Sequence, residues 1–374
     1  MPAFALYRLP YQQHCHLVMQ SQGEPAELSS VFALSGCSGF VIAPFATDER
    51  HPILLLDADV EEETNPEVWD DDGPEAFADL RDRIGQICRQ PSMLPLVKGG
   101  SKTHYMIDFA NFHAQIEAGQ FSKIVLARCC YADNDAHDSP LRLFVKACRR
   151  YPRMMVALVS ARRCGTWLVA TPEVLLEGDG LVWSTMSLAG TMRLTGDQLA
   201  FDNPPSSTRH DDAAIRWSAK NIQEQQFVST YITECLEQVA SDIEEQGPYT
   251  MRAGDLVHLR SDFRFTLPDA GRLGELLHTL YPTPAVCGLP KDAARDFILR
   301  NEFAPRDYYS RFMGMLCPDC GTHLYVSLRC MRMENDGFWL YAGGGLLADS
   351  DLETEWNETE DKMETMRALC TPTN

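Results

Sequence analysis

Two glutamates lie far apart along the chain, each one helical turn from a lysine. Glu224 closes Lys220-Asn221-Ile222-Gln223-Glu224, and Glu358 sits within Glu355-Trp356-Asn357-Glu358-Thr359-Glu360-Asp361-Lys362. Residues three or four apart share a helix face. Glu355, Glu358 and Lys362 therefore form one charged stripe, and Lys220 with Glu224 forms another. Two carboxylates from separate helices, completed by amide and water oxygens, suit Mg²⁺, a hard ion that keeps several waters. Such an ion would also let a chain of formal net charge -20 hold a small anion that it otherwise repels. For either stripe alone, a solvated salt-bridge face is the plainer reading.

Other residue types add to this chemistry. Glu173, in Thr171-Pro172-Glu173, precedes the apolar Val174-Leu175-Leu176. Desolvation there would raise its pKa and make it a general acid, whereas a surface turn would leave it an ordinary carboxylate. Lys123 opens the apolar run Ile124–Ala127. It is either a base whose pKa burial lowers or an edge lysine that keeps its head in water. Gly343-Gly344-Gly345 follows an expected strand, and bare glycine N–H groups can approach an anion, although a tight turn explains the triplet equally well. Arg329 lies on the preceding expected strand, suited to bidentate carboxylate binding beside those glycines. Cys317-Pro318-Asp319-Cys320 would need two further ligands to hold zinc, from Cys330, Cys287 or His323; a β-turn with incidental cysteines is simpler. Phosphate-loop, HExxH and GxSxG patterns are absent from the sequence.

Hydrophobic periodicity predicts the elements that carry these groups. Helices are expected over 77–90, 107–118, 140–151, 212–245, 272–280, 291–301 and 353–369. Strands are expected over 122–131, 155–160, 166–170, 174–177, 181–184, 313–316, 323–332 and 338–342. Residues 1–100 say least, and the acidic tract 57–75 reads as a solvated loop. Hairpin-spaced strands with separated helices imply an α/β protein of the α+β kind, built on a large, mostly antiparallel sheet.

Composition narrows the class. Hydrophobic residues make up 45% and charged residues 23% of the 374, as in a globular protein. The acidic balance argues against nucleic acid and against anionic membrane surfaces. No apolar run long enough for a bilayer span and no signal-peptide pattern appears, so a cytoplasmic protein is expected. Thirteen cysteines, an odd number in a long chain, fit reduced thiols better than a disulfide framework.

The order of the motifs joins these pieces. Ser122-Lys123-Ile124-Val125-Leu126-Ala127-Arg128, Thr171-Pro172-Glu173, Leu188-Ala189-Gly190-Thr191, Lys220 to Glu224 and His258-Leu259 follow one another. After them come Tyr281 to Gly288, Arg306 to Tyr309, Arg329, Tyr341 to Gly345 and Glu355 to Lys362. This series resembles the chorismate-utilising enzymes over about residues 105–370. Pro282-Thr283-Pro284-Ala285-Val286-Cys287-Gly288 is most similar to the isochorismate synthase branch, particularly its siderophore-pathway members. Ala189 stands where aminodeoxychorismate synthases with a nucleophilic lysine carry it, and alanine cannot attack carbon.

The resemblance implies a β-sandwich flanked by helices, with one chorismate-utilising unit over 1–374. Residues 1–104 would form a divergent half-sheet and 105–370 the catalytic core. It implies Mg²⁺-dependent conversion of chorismate to isochorismate, with Lys123 activating water at C2 and Glu173 protonating the departing C4 hydroxyl. Glu224 and Glu358, with Glu355, would hold the metal. Arg329, Tyr309 and Gly343 would bind the enolpyruvyl carboxylate. Leu188, Ala189, Gly190, Ala285 and Val286 would shape the wall, with His258 and Lys362 nearby. No amidotransferase subunit is expected. Salicylate synthesis by further loss of pyruvate and a non-catalytic chorismate-binding homologue are the alternatives. The sequence departs from the family pattern at Asn221, Gln225 and Met315, where aspartate, histidine and tryptophan are usual.

Overall fold

In the computed structural model, residues 1–95, 99–196, 198, 201 and 215–370 are described. Their strands form two nine-stranded sheets, and every adjacent pair is antiparallel. The first sheet runs Gly288–Leu289, Lys123–Asp133, Gly337–Leu346, Cys330–Met333, Gly165–Thr171, Met155–Ala161, Ala3–Arg8, Cys15–Gln20, Val60–Thr64. The second runs Ser241–Ala253, Leu256–Thr266, Val182–Arg193, Val174–Asp179, Thr322–Val326, Phe312–Leu316, Gly39–Ala43, Ile53–Leu56, Ala26–Leu28. The α+β architecture expected from the hairpin spacing is thus a two-sheet sandwich.

Strand side chains alternate between faces, and here both faces are covered. Trp167 and Val169 of the first sheet meet Phe40, Ile42 and Met186 of the second in the core between them. On the outer side, Phe4, Leu6 and Leu168 pack against Phe144, Met363 and Met366 from helices Pro140–Arg150 and Leu352–Cys370. The second sheet's outer residues Val41, Phe263 and Phe265 meet Val228, Ile232 and Leu276 from helices Ala219–Val239 and Leu273–Leu280. Burial on both sides explains why strands such as Ala3–Arg8 and Met155–Ala161 read as unbroken buried runs. Among the described residues no helix is long and apolar enough to cross a membrane.

Four expectations change. The N-terminal segment does not form one half-sheet: its six strands divide three to each sheet, because the chain passes between sheets twice before residue 60. The helix expected over 212–245 is observed only as Ala219–Val239; residues 212–214 lie outside the described set, and Ser241–Ala253 is an edge strand on Leu256–Thr266. Its acidic start looked helical, but pairing prevails there. The register shifts between Gln246 and Tyr249, around Gly247-Pro248, as edge strands allow. The strand expected over 323–332 is two strands, in different sheets, broken at residues 327–329. Finally, Cys317 and Cys320 form a disulfide, while the other eleven cysteines are not disulfide-bonded. The zinc candidates are spent elsewhere: Cys287 and Cys330 are buried as thiols, and His323 pairs with Glu177 at 3.0 Å.

Candidate active site

Two of the crossings between sheets build the centre of the molecule. The chain leaves Gly165–Thr171 of the first sheet, passes through Pro172-Glu173, and enters Val174–Asp179 of the second. It returns from Thr322–Val326 through Ser327-Leu328-Arg329 into Cys330–Met333. Backbone hydrogen bonds tie the crossings together: Val326 N–H donates to Glu173 O at 2.9 Å, and Ala170 N–H to Arg329 O at 3.1 Å. Arg329 takes φ +45° to make its turn. The break in the 323–332 segment is therefore what aims Arg329 inward.

Two helices deliver the carboxylates. Ser218 caps the helix Ala219–Val239 by accepting from Asn221 N–H at 3.1 Å. Its buried stripe begins with Glu224 and Gln225 and continues through Val228, Ile232 and Leu236. On the closing helix the stripe runs Glu355, Thr359, Met363, Met366. In each helix a carboxylate occupies the first position of an apolar face, so packing of the face buries the charge. Glu355 also lies in the helix's first turn, where the macrodipole favours an anion.

The glycine triplet is not a turn. Gly343, Gly344 and Gly345 lie within the Gly337–Leu346 strand, paired with Ala127, Leu126 and Val125. What they supply is room. A Cβ on Gly344 would stand 2.9 Å from Glu355 Oε2, and one on Gly345 would overlap Glu224 Oε1 and stand 2.7 Å from Lys123 Cε. The glycines let carboxylates from two helices lie against a strand.

A cavity opens between these elements. Glu173, Glu224, Arg329, His258 and Lys362 line it, with Leu188, Ala189, Gly190, Ala285, Val286, Tyr309 and Gly343. The remaining three predicted residues do not. Lys123 is completely buried, its Nζ 3.0 Å from Glu224 Oε1 but without hydrogen-bond geometry to any described residue. Glu355 pairs with Lys220 and accepts from Ser350 Oγ at 2.8 Å; Glu358 pairs with Lys362 at 2.8 Å. Lys362 Nζ also donates to Gly343 O at 2.8 Å.

Burial tunes these groups in opposite directions. Desolvation pushes the Glu173 carboxyl up to about 8, against the pull of Lys123, Lys362 and Arg329. Desolvation draws the Lys123 amine below its ordinary value, with Glu224 opposing it. Burial would raise Glu224 too, but Lys123, Lys220 and Lys362 outweigh it and hold its carboxylate below the usual range. Glu355 rises to about 7 through burial and the neighbouring Glu358. His258 falls well below its usual value through burial and Arg329, so it is a neutral ring, its Nδ1 3.0 Å from Gly190 O. The cavity wall thus carries a carboxylic acid biased toward its protonated form, Glu173, and a buried guanidinium, Arg329, with Lys123 buried 3.0 Å from the wall residue Glu224.

The model of a family described as chorismate binding enzyme matches residues 46–370. The chain belongs to the chorismate-binding enzymes. It is 32% identical over 263 residues to the salicylate biosynthesis isochorismate synthase of Pseudomonas aeruginosa, covering 68% of this chain and 52% of that one. It is 31% identical over 263 residues to isochorismate synthase DhbC of Bacillus subtilis, covering 68% and 64%. The chain therefore spans between half and two thirds of the length of these relatives. Among solved structures, the menaquinone-specific isochorismate synthase MenF of Escherichia coli superposes with a TM-score of 0.73 at 22% identity, covering 99% of this chain and 89% of that one. That likeness speaks to the fold.

A divalent cation in this member of the family can be tested on the residues present. Among the described residues no three His, Cys, Asp or Glu side chains form a ready cage. Mg²⁺ does not need one, since it keeps waters and uses one or two carboxylates. Glu355 Oε2 is buried without a hydrogen-bond partner, and the space above Gly344 lies 2.9 Å from that atom and 3.9 Å from Glu358 Oε1. With Glu224 beside Gly345, these hard oxygen donors fit the ion.

Two features escaped the sequence reading. Gln225 was noted only as a departure from the family pattern. It is buried, accepts Ala189 N–H at 3.0 Å and donates to Ser187 Oγ at 2.7 Å, so it holds the cavity wall. Glu302 and Arg306 form a buried pair; Arg306 donates to Val286 O at 2.7 Å and Val125 O at 2.9 Å, fixing two more wall residues. Their four-residue spacing on an amphipathic stretch was the available signal, but it does not distinguish a buried pair from a surface one.

Proposed function

We propose that this protein converts chorismate to isochorismate, with Mg²⁺ and in the cytoplasm, and that residues 1–374 act as one unit. The observation that carries the reading is Glu173 on the wall of one cavity, with its carboxyl raised to about 8, together with Lys123, buried 3.0 Å from the wall residue Glu224 and with its amine lowered. At neutral pH the first can give a proton, and the second holds its own proton less tightly than an ordinary lysine does.

Water adds its oxygen to C2 while its proton passes to the Lys123 amine. The ring double bonds shift, the C4–O bond breaks, and Glu173 gives its proton to the departing hydroxyl, which leaves as water. One water enters and one leaves, and solvent returns the proton from Lys123 to Glu173. Lys123 lies 3.0 Å from the wall residue Glu224, and its Cε would stand 2.7 Å from a Cβ on Gly345, another wall residue. Glu224, Glu355 and Glu358 would hold Mg²⁺, which when bound neutralises the ring carboxylate. Arg329 and Tyr309 bind the second carboxylate, and burial of Arg329 strengthens that interaction. The siderophore branch is the pathway that the Pro282–Gly288 segment supports.

The test is chromatography of products after incubation with chorismate and Mg²⁺. Isochorismate from the wild type and none from Lys123→Ala or Glu173→Gln is expected. A fluorescent salicylate product without isochorismate, or chorismate binding without turnover, would overturn it.

A further inference from the structure

A second cleft, of about 1070 Å³, lies on the surface beside the cavity, and nothing in the chemistry above uses it. Its walls carry Arg150, Arg153, Arg193 and Arg252 against three carboxylates. The whole chain has 33 Lys and Arg against 53 Asp and Glu, so the cleft inverts the local charge balance of an acidic protein.

The cleft continues the cavity along three elements. On the strand Val182–Arg193, Thr191 lines the cavity and Arg193 the cleft. On Leu256–Thr266, His258 lines the cavity and Leu256 the cleft. Residues two apart in a strand share a face about 7 Å apart, so both strands run from one space into the other. The closing helix does the same, with Lys362 facing the cavity and Asp361, Glu364 and Thr365 the cleft. Thr191 and Lys362, next to cleft residues on these elements, are partly exposed, as are Ala285 and Leu328 elsewhere on the cavity wall.

Resting on the reaction proposed above, we infer that this cleft is the entry vestibule of the site. Its arginines gather the dicarboxylate substrate from a solvent that the rest of the surface makes unfavourable for anions. A positive, walled cleft concentrates anions and raises capture by about 10-fold or more at low salt. Arg193 is ion-paired with Asp361, so its loss also uncovers a negative charge at the mouth. None of these arginines touches the reacting atoms, so their effect belongs to capture and not to turnover.

The test is steady-state kinetics of the Mg²⁺-loaded protein over a range of ionic strength. For the variant R150Q/R153Q/R193Q, kcat/KM at low salt should fall about 10-fold, with kcat within twofold and a wild-type melting transition. The wild type's loss of kcat/KM with added salt should flatten in the variant. The single variant R193Q should show part of the same KM effect, which guards against misfolding of the triple. Equal kcat/KM and equal salt dependence in wild type and variants would overturn the vestibule alone. A wild type that makes no isochorismate would instead overturn the reaction on which it rests.

Discussion

The molecule buries charged pairs in two places and treats them differently. Glu302 and Arg306 are fully satisfied: both guanidinium edges find carboxylate or carbonyl oxygens, and Glu302 takes the Ala127 N–H as well. Lys123 and Glu173 are as deeply buried, yet Lys123 Nζ, 3.0 Å from Glu224, makes no hydrogen bond to a described residue, and Glu173, in the field of Lys123, Lys362 and Arg329, has no ion-pair partner among the described residues. Burial is the same; partner geometry is not. Where hydrogen bonds complete a charge, burial makes a brace. Where they do not, burial shifts the group toward neutrality and leaves it able to exchange protons.

That contrast can be broken by substitution. Glu173→Gln should lower turnover about 100- to 10,000-fold, the range of lost acid–base catalysis, with little loss of stability, whereas Lys123→Ala should lower turnover as far and also cost stability, because it leaves Glu224 buried without its cation; product chromatography with a thermal melt checks both. Arg306→Met should do the reverse of Glu173→Gln. It leaves Glu302 buried and unpaired, and chemical denaturation should show a loss of about 3–5 kcal/mol. Gly345→Ala should displace the flexible ends of Glu224 and Lys123 and spare the strand, so Mg²⁺ binding by calorimetry weakens more than the melting temperature falls. Gln225→Ala strands the Ala189 N–H and should cost about 1–3 kcal/mol, with KM rising more than kcat falls.

The pH dependence sharpens the same point. Activity that requires protonated Glu173 should decline above about pH 8. Because its folded pKa lies above the ordinary 4.5, the folded state holds a proton that the unfolded state has lost between those values. Its contribution to stability is full below about pH 4.5 and is lost as pH rises toward 8. Glu173→Gln should flatten that part of the stability curve, as measured by denaturation at several pH values.

Much of this was legible in the residues. The helix Lys291–Asn301 appears at its expected bounds, and Lys123–Asp133 and Pro140–Arg150 nearly so, because each has a clear period and a clear stop. The cavity gathers twelve of the fifteen predicted site residues, through motif order and not through any local pattern. Local reasoning failed where tertiary contacts decide. Acidic Ser241–Glu245 looks helical but is an edge strand, and the glycine triplet looked like a turn but clears space for carboxylates.

The sequence by itself determined which groups are candidates for the proposed chemistry and which faces of which elements bear them, since type and period are local properties. It did not determine their protonation. Glu173 and Lys123 become an acid and a candidate base only because two strand crossings and two helices remove water from around them, and desolvation is a property of the closed fold.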